Sequence, residues 1–470
     1  MATLPAAFLA ATMNAMKDRQ SAGATALVRV AALLLATACG TTSPGASAQD
    51  GAVAVDGPMS PAEASSGDVT LPMGDAAGSA DANGSGDASG STDAADGAAS
   101  DSGDTLGAWA GGAGYYGKFS DGPPSDPSFF PVSVWLQDPS LASQYAAIGI
   151  NLFVGLWQGP TDAQLTTLTQ STMPVACTQD SVGLAHVTDK TIVAWTQDDE
   201  PDNAQPIDGG YGPCVAPSAI VARYQAWRSN DATRPVYLNV GQGVANDAWN
   251  GRGSCSGHPQ DYAQYAKGAD IVSFDVYPVN DGLAITLVAT GIDRLRAAVN
   301  DQKPVWNWIE CTGINGPSGK PTPAQTKAEV WMSIVHGSMG IGYFVHQFQP
   351  TQDVHALLDD PTMKAAVAAI NAQIHQLAPV LNAPPVTNAA TVTTPSSASP
   401  VDILVKRQGG NLYVFAVSMG SGTAMATFSI ARPAASTTAV VLGENRAIAI
   451  QNGTFQDSFG GYAVHLYEVQ

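Results

Sequence analysis

Thr196 to Asn203 reads TQDDEPDN and sets four acidic side chains within five positions, directly after the apolar run TIVAW. Glu310 closes a second apolar run, KPVWNWIE, in the same manner. Carboxylates repel one another and are costly at the end of a buried strand, so acids gathered there point to chemistry. One carboxyl group can give its proton to a leaving oxygen while another, ionised, attacks carbon. Other catalytic patterns are missing from the sequence. The seven histidines form no HExxH pair, and there is no GxSxG.

Acids act together only if the fold brings them together. From Phe129 onward the chain repeats a short apolar strand, a turn and a stretch that is mostly helix-like. The strands are FFPVSVWLQ, NLFVGLWQG, PVACTQ, TIVAWTQ, PVYLNV, DIVSFDVYP, KPVWNWIE and IGYFVHQF. Helical stretches include PSAIVARYQAWRS, IDRLRAAVN and AQTKAEVWMSIVHGSMG, and MKAAVAAINAQIHQLAPVL closes the series. Eight such units predict an α/β fold, a (β/α)8 TIM barrel over residues 108–385. An open doubly wound sheet is the alternative, but it usually has a Gly-rich first turn and FFPVSVWLQDPS has none. Over residues 386–470 the runs VDILVKR, NLYVFAVSM, TAMATFSIA, AVVLGE and YAVHLYEV predict a small all-β sandwich domain.

In such a barrel, chemistry sits at the C-terminal ends of the strands. Strand one offers Trp135 and Gln137 there, and strand two Trp157 and Gln158. Strand four gives Asp198, Asp199 and Glu200, strand five Asn239 and Gln242, and strand six Asp275 and Tyr277. Trp308 and Glu310 end strand seven; His346 and Gln347 end strand eight. This lining is rich in Trp, amides and acids and poor in Lys and Arg. Phosphate would want cations or helix N-termini instead. A sugar fits, because its apolar face stacks on Trp and its hydroxyls meet amides and carboxylates. Trp308 stands two residues before Glu310 and so on the same side of its strand; Trp195, Trp227 and Trp331 read as core.

Asp199-Glu200-Pro201 after strand four and WIE at strand seven resemble the retaining glycoside hydrolases with a (β/α)8 barrel, the large clan called clan A. The resemblance extends to the C-terminal sandwich, through LGENRAI and FQDSFGGYAVHLYEV. It implies hydrolysis of β-glycosidic bonds in a poly- or oligosaccharide with retention and without a cofactor. In that clan the strand-four Glu is the acid/base, here Glu200, and the strand-seven Glu is the nucleophile, here Glu310. The acid/base commonly follows Asn; this chain has Asp199, which can accept the same hydrogen bond but adds charge. Tyr277, in Asp275-Val-Tyr277-Pro278, matches a tyrosine that often bonds the nucleophile. Asp198 or Asp199 would orient sugar hydroxyls, with Trp135, Trp157, Trp308, Asn239, Asp275, Tyr277, His346 and Gln347 as further substrate contacts. Asp202 and Asn203 would cap the following loop. A competing reading gathers Asp198, Asp199 and Asp202 around a divalent cation, although no metal-loop spacing is present.

The formal net charge of −20 argues against nucleic acid. Residues 40–105 hold eleven acids and no Lys or Arg, so the acidity mostly describes a tether. Residues 1–39 read as a signal peptide, with Arg29 before VAALLLATA and an end, ATACG, similar to a bacterial lipobox. Cys39 would take the lipid, and translation could begin at Met13 or Met16. Residues 40–107, rich in Gly, Ala, Ser and Asp, have almost nothing to bury and are expected to be disordered. Cys214 and Cys255 lie in Gly-rich loops and are the expected disulfide; Cys177 and Cys311 are expected free. The expected protein is an exported monomer held to a membrane only by its lipid, with carbohydrate as its partner. The rival is a surface carbohydrate-binding lipoprotein that has lost catalysis.

Overall fold

The computed structural model describes residues 103–207, 210–249, 257–431 and 438–469. Residues 1–102, with the expected signal segment, Cys39 and nearly all of the tether, lie outside the described residues. Eight strands form the first layer: β1 (Val132–Trp135), β2 (Leu152–Val154), β3 (Val175–Cys177), β4 (Ile192–Thr196), β5 (Val236–Val240), β6 (Ile271–Asp275), β7 (Val305–Glu310) and β8 (Ile341–Phe344). Each pairs in parallel with its neighbours in chain order, and β8 returns to β1. The sheet is a closed barrel, which excludes the open doubly wound alternative. Its strands are apolar because both faces are covered; β4, β5 and β7 are buried along their whole length.

Side chains alternate between two layers. Leu152, Ala176, Tyr237, Ile271, Trp306 and Trp308 fill the barrel interior. Val134, Phe153, Leu238, Phe274 and Ile309 meet the surrounding helices instead. A short helix, α1 (Gly112–Tyr116), covers the N-terminal end of the barrel, where the Tyr115 hydroxyl donates to the Asp270 carbonyl just before β6.

Five longer helices follow strands, and local chemistry starts four of them. Helix α2 (Asp162–Gln170) opens on a capping box between Thr161 and Gln164, and α3 (Pro217–Asn230) opens on Pro217. After α4 (Leu287–Ala298), the helix α5 (Pro323–Val335) repeats the capping box with Thr322 and Gln325. Helix α6 (Pro361–Leu381) is capped by Asp360, whose carboxylate accepts from the Thr362 and Met363 amides.

The C-terminal region holds two antiparallel sheets among the described residues. Its strands are β9 (Ala390–Thr393), β10 (Val401–Gln408), β11 (Asn411–Ser418), β12 (Ala424–Ile430), β13 (Thr438–Val441), β14 (Arg446–Ala449), β15 (Thr454–Phe459) and β16 (Val464–Val469). One sheet runs β9-β12-β15, the other β10-β11-β16-β13-β14. Between them Phe428 stacks on Phe455 at 4.6 Å. Five of these strands are expected from the sequence; β9, β14 and β15 are additional. The larger sheet also packs on the barrel's helices. Leu404, Phe415 and Leu466 share one core with them, and Phe415 meets Trp331 of α5 at 5.5 Å. Lys406 is buried at this junction, donating to the carbonyls of Leu381 and Ala383 and lying 3.3 Å from the Trp109 ring. Burial pushes its pKa well below the ordinary lysine value.

A pH-sensitive pin crosses the same junction. His336, at the end of α5, meets Asp293 of α4 at 2.9 Å and Asp402 of β10 at 3.1 Å. Burial alone would lower its pKa, but the two carboxylates overbalance that and raise it to about 9. A histidine pKa raised on folding adds stability below the unfolded value near 6.5, and that stability is lost as pH rises through 9. Both aspartates are about half exposed, so solvent screening reduces the effect to about 1–2 kcal/mol. Urea unfolding at pH 6.5 and 9.5 should show this loss in the wild type and a flat response in His336→Gln. An equal response in both proteins would place the pH sensitivity elsewhere.

Candidate active site

The acids after β4 separate by direction. Gln197 points outward, donating to the Ile220 and Gly268 carbonyls. Asp198 is exposed and pairs with Arg223 of α3 on the outer side. Asp199 faces the mouth, where its carboxylate accepts from Asn239 Nδ2 at 2.9 Å. Glu200 adopts φ +45°, a left-handed conformation that is uncommon for a residue with a Cβ. Its N–H donates to the Asn239 carbonyl at 3.1 Å, and its own carbonyl accepts from the Asn203 amide at 3.0 Å. The turn thus closes on itself while it is tied to β5, and such strain held by its surroundings is a mark of functional sites.

Asp202 lies behind Glu200 and is buried. The Gly241 amide donates to its Oδ1 at 2.8 Å and the Tyr262 hydroxyl to its Oδ2 at 3.1 Å. Burial first, then the nearby Glu200 charge, raises its pKa to about 6. Gly241 admits these groups because it lacks a side chain. A Cβ there would stand 2.5 Å from Asn203 Nδ2 and 3.0 Å from Glu200 Oε1. Asn203 is fully buried, and neither polar atom of its side chain has a protein partner. Asp198, Asp199 and Asp202 therefore go to three different partners and do not converge on one point. Among the described residues, Asp353, His355 and Asp359 do bring ligand atoms within 4.8 Å of one another, in the partly exposed loop after β8.

A directed chain of hydrogen bonds runs beneath the mouth. Trp308 Nε1 donates to the Tyr237 hydroxyl at 2.8 Å, and Tyr237 bonds Ser273 Oγ. Ser273 donates in turn to Asn239 Oδ1 at 2.7 Å. This fixes the Asn239 amide with its nitrogen toward the acids, since the oxygen is already engaged. The nitrogen then reaches both Asp199 at 2.9 Å and Asp275 at 3.4 Å. Tyr237 and Ser273 are not among the sequence candidates. Their signal was the alternation itself, because Tyr237 and Asn239 share one face of β5, as Ser273 and Asp275 do of β6.

Trp308 is 2% exposed and lies over Gly342, where a Cβ would stand 2.3 Å from its ring. With its N–H engaged as well, it shapes the floor of the site and offers no open face for stacking. Trp135 meets it edge-on at 5.3 Å and is half-buried, as is Trp157. Tyr277 packs on Phe344 at 5.1 Å, and Phe344 on His346 at 4.9 Å. Burial lowers the His346 pKa to about 4, so its ring is neutral at ordinary pH and Nε2 meets Gln137 Nε2 at 2.9 Å. Gln347 is taken up by the loop, pairing its backbone with Asp353 and its amide with the Thr351 carbonyl.

Glu310 ends β7 and is enclosed. It is 0% exposed, and three donors occupy its carboxylate. Val279 N–H donates to Oε1 at 2.6 Å, while Asn280 donates to Oε2 from its backbone at 2.8 Å and its side chain at 2.6 Å. The Asn280 amide also holds the Thr312 carbonyl and the Ile314 N–H, so Glu310 fastens the loop after β6 to the end of β7. Burial raises its pKa to about 7 against those donors. Glu329 of α5 is also fully buried; burial and the Glu310 charge raise the Glu329 pKa well above the ordinary range.

Cys214 is disulfide-bonded, whereas its expected partner Cys255 lies outside the described residues. Cys177 and Cys311 are buried and free.

No protein-family model matches the chain, and no curated protein does. Solved structures similar to it include a GH30 endoxylanase from Clostridium papyrosolvens, 13% identical, covering 78% of this chain and 98% of that one with a TM-score of 0.44. An alpha-amylase from Geobacillus thermoleovorans is 10% identical over 73% of this chain and 98% of that one, with a TM-score of 0.45. A cyclomaltodextrinase is 8% identical over 75% and 80%, with a TM-score of 0.47. The barrel itself rests on the strand pairing described above.

Proposed function

We propose that this chain is an exported glycoside hydrolase that cleaves β-glycosidic bonds of a poly- or oligosaccharide with retention, and that Glu200 is its acid/base. The observation that supports it most is that the Asn239 side chain holds the carboxylates of Asp199 and Asp275 at the C-terminal end of the barrel, while its carbonyl accepts from the Glu200 N–H. Acids and amides so placed suit sugar hydroxyls and the transfer of a proton to a leaving oxygen. The half-buried Trp135 and Trp157 offer apolar surface beside them. Export belongs to the same reading and rests on residues 1–39.

The enclosure of Glu310 favours the rival, a carbohydrate-binding protein without turnover, if that residue is the required nucleophile. Incubating purified protein with cellulose, xylan, mannan and laminarin, together with aryl β-glycosides, separates the two readings. Release of reducing ends, with the β-anomer formed first by proton magnetic resonance, is the expected result. Binding to a glycan with no release on any substrate would overturn hydrolysis in favour of the rival.

A further inference from the structure

Resting on that reading, we infer that Asn203 is the positioning residue for Glu200: its side-chain amide receives the carboxylate that Glu200 becomes once its proton has gone to the leaving oxygen. Asn203 is fully buried, and neither atom of its amide has a protein partner. A stranded amide costs stability on both of its polar atoms, so a purely structural role here would suit an apolar side chain better. The turn keeps this amide beside Glu200. Asn203 N–H donates to the Glu200 carbonyl at 3.0 Å, and Gln205 Nε2 donates to the Glu200 and Asn203 carbonyls at 3.1 and 2.9 Å.

Gly241 is where the two side chains meet. Asn203 Nδ2 and Glu200 Oε1 lie 2.5 and 3.0 Å from the point a Cβ of Gly241 would occupy, so they are no further apart than the sum of those distances. Rotation of the long Glu200 side chain can close the remaining gap to a hydrogen bond. Gly241 itself has φ −76° and ψ 179°, a conformation open to any residue, so the close approach of these side chains is what a methyl there would block. Asp202 from the same turn and Tyr262 from the short helix Tyr262–Tyr265 face Glu200 and interact with its charge, and Tyr262 is bonded to Asp202. From β5 comes the Asn239 carbonyl, and across Asn239 stand Asp199 and Asp275. Negative charge on Asp202 opposes ionisation of Glu200, whereas a donating amide favours it. Asp202 thus helps Glu200 keep its proton, and Asn203 helps it let go.

Asn203→Ala and Gly241→Ala test this on the full chain, the first by removing the amide, the second by setting a methyl between it and Glu200. Each should slow alkyl β-glycosides on the order of tenfold and leave the first step on dinitrophenyl glycosides unchanged. Each should also move the basic limb of the pH–rate profile, where Glu200 loses its proton, up by about one pH unit. Asp202→Asn should move that limb down, because it removes a negative charge. General damage to the turn would not send the limb in opposite directions. Titrating the isotope-labelled Glu200 carboxyl by magnetic resonance, with Glu200→Gln giving the assignment, reads the same shifts without a substrate. A limb and a titration unmoved by Asn203→Ala and Gly241→Ala overturn the inference while hydrolysis stands. Opposite shifts in the titration, with no turnover on any glycoside, overturn hydrolysis and leave the amide assigned to Glu200.

Discussion

Glu200→Ala should lower turnover about 10²–10⁴-fold on a natural glycan or an alkyl glycoside, and change the first step on a dinitrophenyl glycoside little. The contrast follows from what a general acid does. An alkoxide cannot leave without a proton, so removing the donor is felt in full. Dinitrophenolate is stable as an anion and leaves unaided. The second step then becomes limiting, because no base deprotonates the attacking water. Azide needs no deprotonation and fits the space that the side chain vacates, so it should restore rate on the activated substrate alone. Comparing rates across a series of leaving groups, with and without azide, checks the assignment. An equal loss on good and poor leaving groups would remove Glu200 from the acid role and make it a residue that only shapes the turn.

Much of this site is legible in the sequence because a barrel turns strand order into position. Eight apolar runs, each ending in polar residues, are enough to bring Asp199, Asn239 and Asp275 to one mouth. Burial of individual strand ends is a different matter. Glu310 and Asp275 look alike in sequence, each an acid after an apolar run, with an aromatic two residues away. What separates them is the Val279–Asn280 loop folding back over Glu310, and Glu329 rising beneath it from α5. Neither contact is local, and no periodicity announces them. Trp308 is similar: its position faces the interior as expected, yet Tyr237 and Gly342 close over it. The strands missed in the C-terminal region have a physical reason too. TFQDSF alternates buried and exposed residues correctly but puts Asp457 on the buried face, where Arg446 and Tyr467 satisfy it. An acid on the inner face of a short strand reads as loop until its partners are known.

The far end of the barrel supplies the largest expected effect on stability, through Arg234→Met, with a loss of about 3–5 kcal/mol. Arg234 is 1% exposed and directs all its nitrogens to partners. Nε donates to the Ile192 carbonyl at 2.7 Å, Nη2 to the Val187 carbonyl at 2.6 Å, and Nη1 to Thr233 Oγ1 and Asp231 Oδ2, each at 3.0 Å. These bonds tie the loop before β4, the start of β4 and the approach to β5 into one unit. Asp231 Oδ2 also accepts from Trp195 Nε1 at 2.8 Å. Burial would raise the Asp231 pKa, but hydrogen bonds from Thr233, Trp195 and Arg234 outweigh it and leave the pKa lowered. Removing the guanidinium therefore costs more than its own bonds, because it strands a carboxylate and two carbonyls in the interior. Lysine should recover little of the loss, since a single ammonium cannot reproduce a planar fork with donors in several directions. Adding Asp231→Asn to Arg234→Met should regain about 1–3 kcal/mol, since the stranded group is then no longer charged. Urea unfolding of the four proteins measures the cycle. A loss below about 1 kcal/mol for Arg234→Met, or no recovery in the double variant, would mean that water reaches this end of the barrel and solvates Asp231 there.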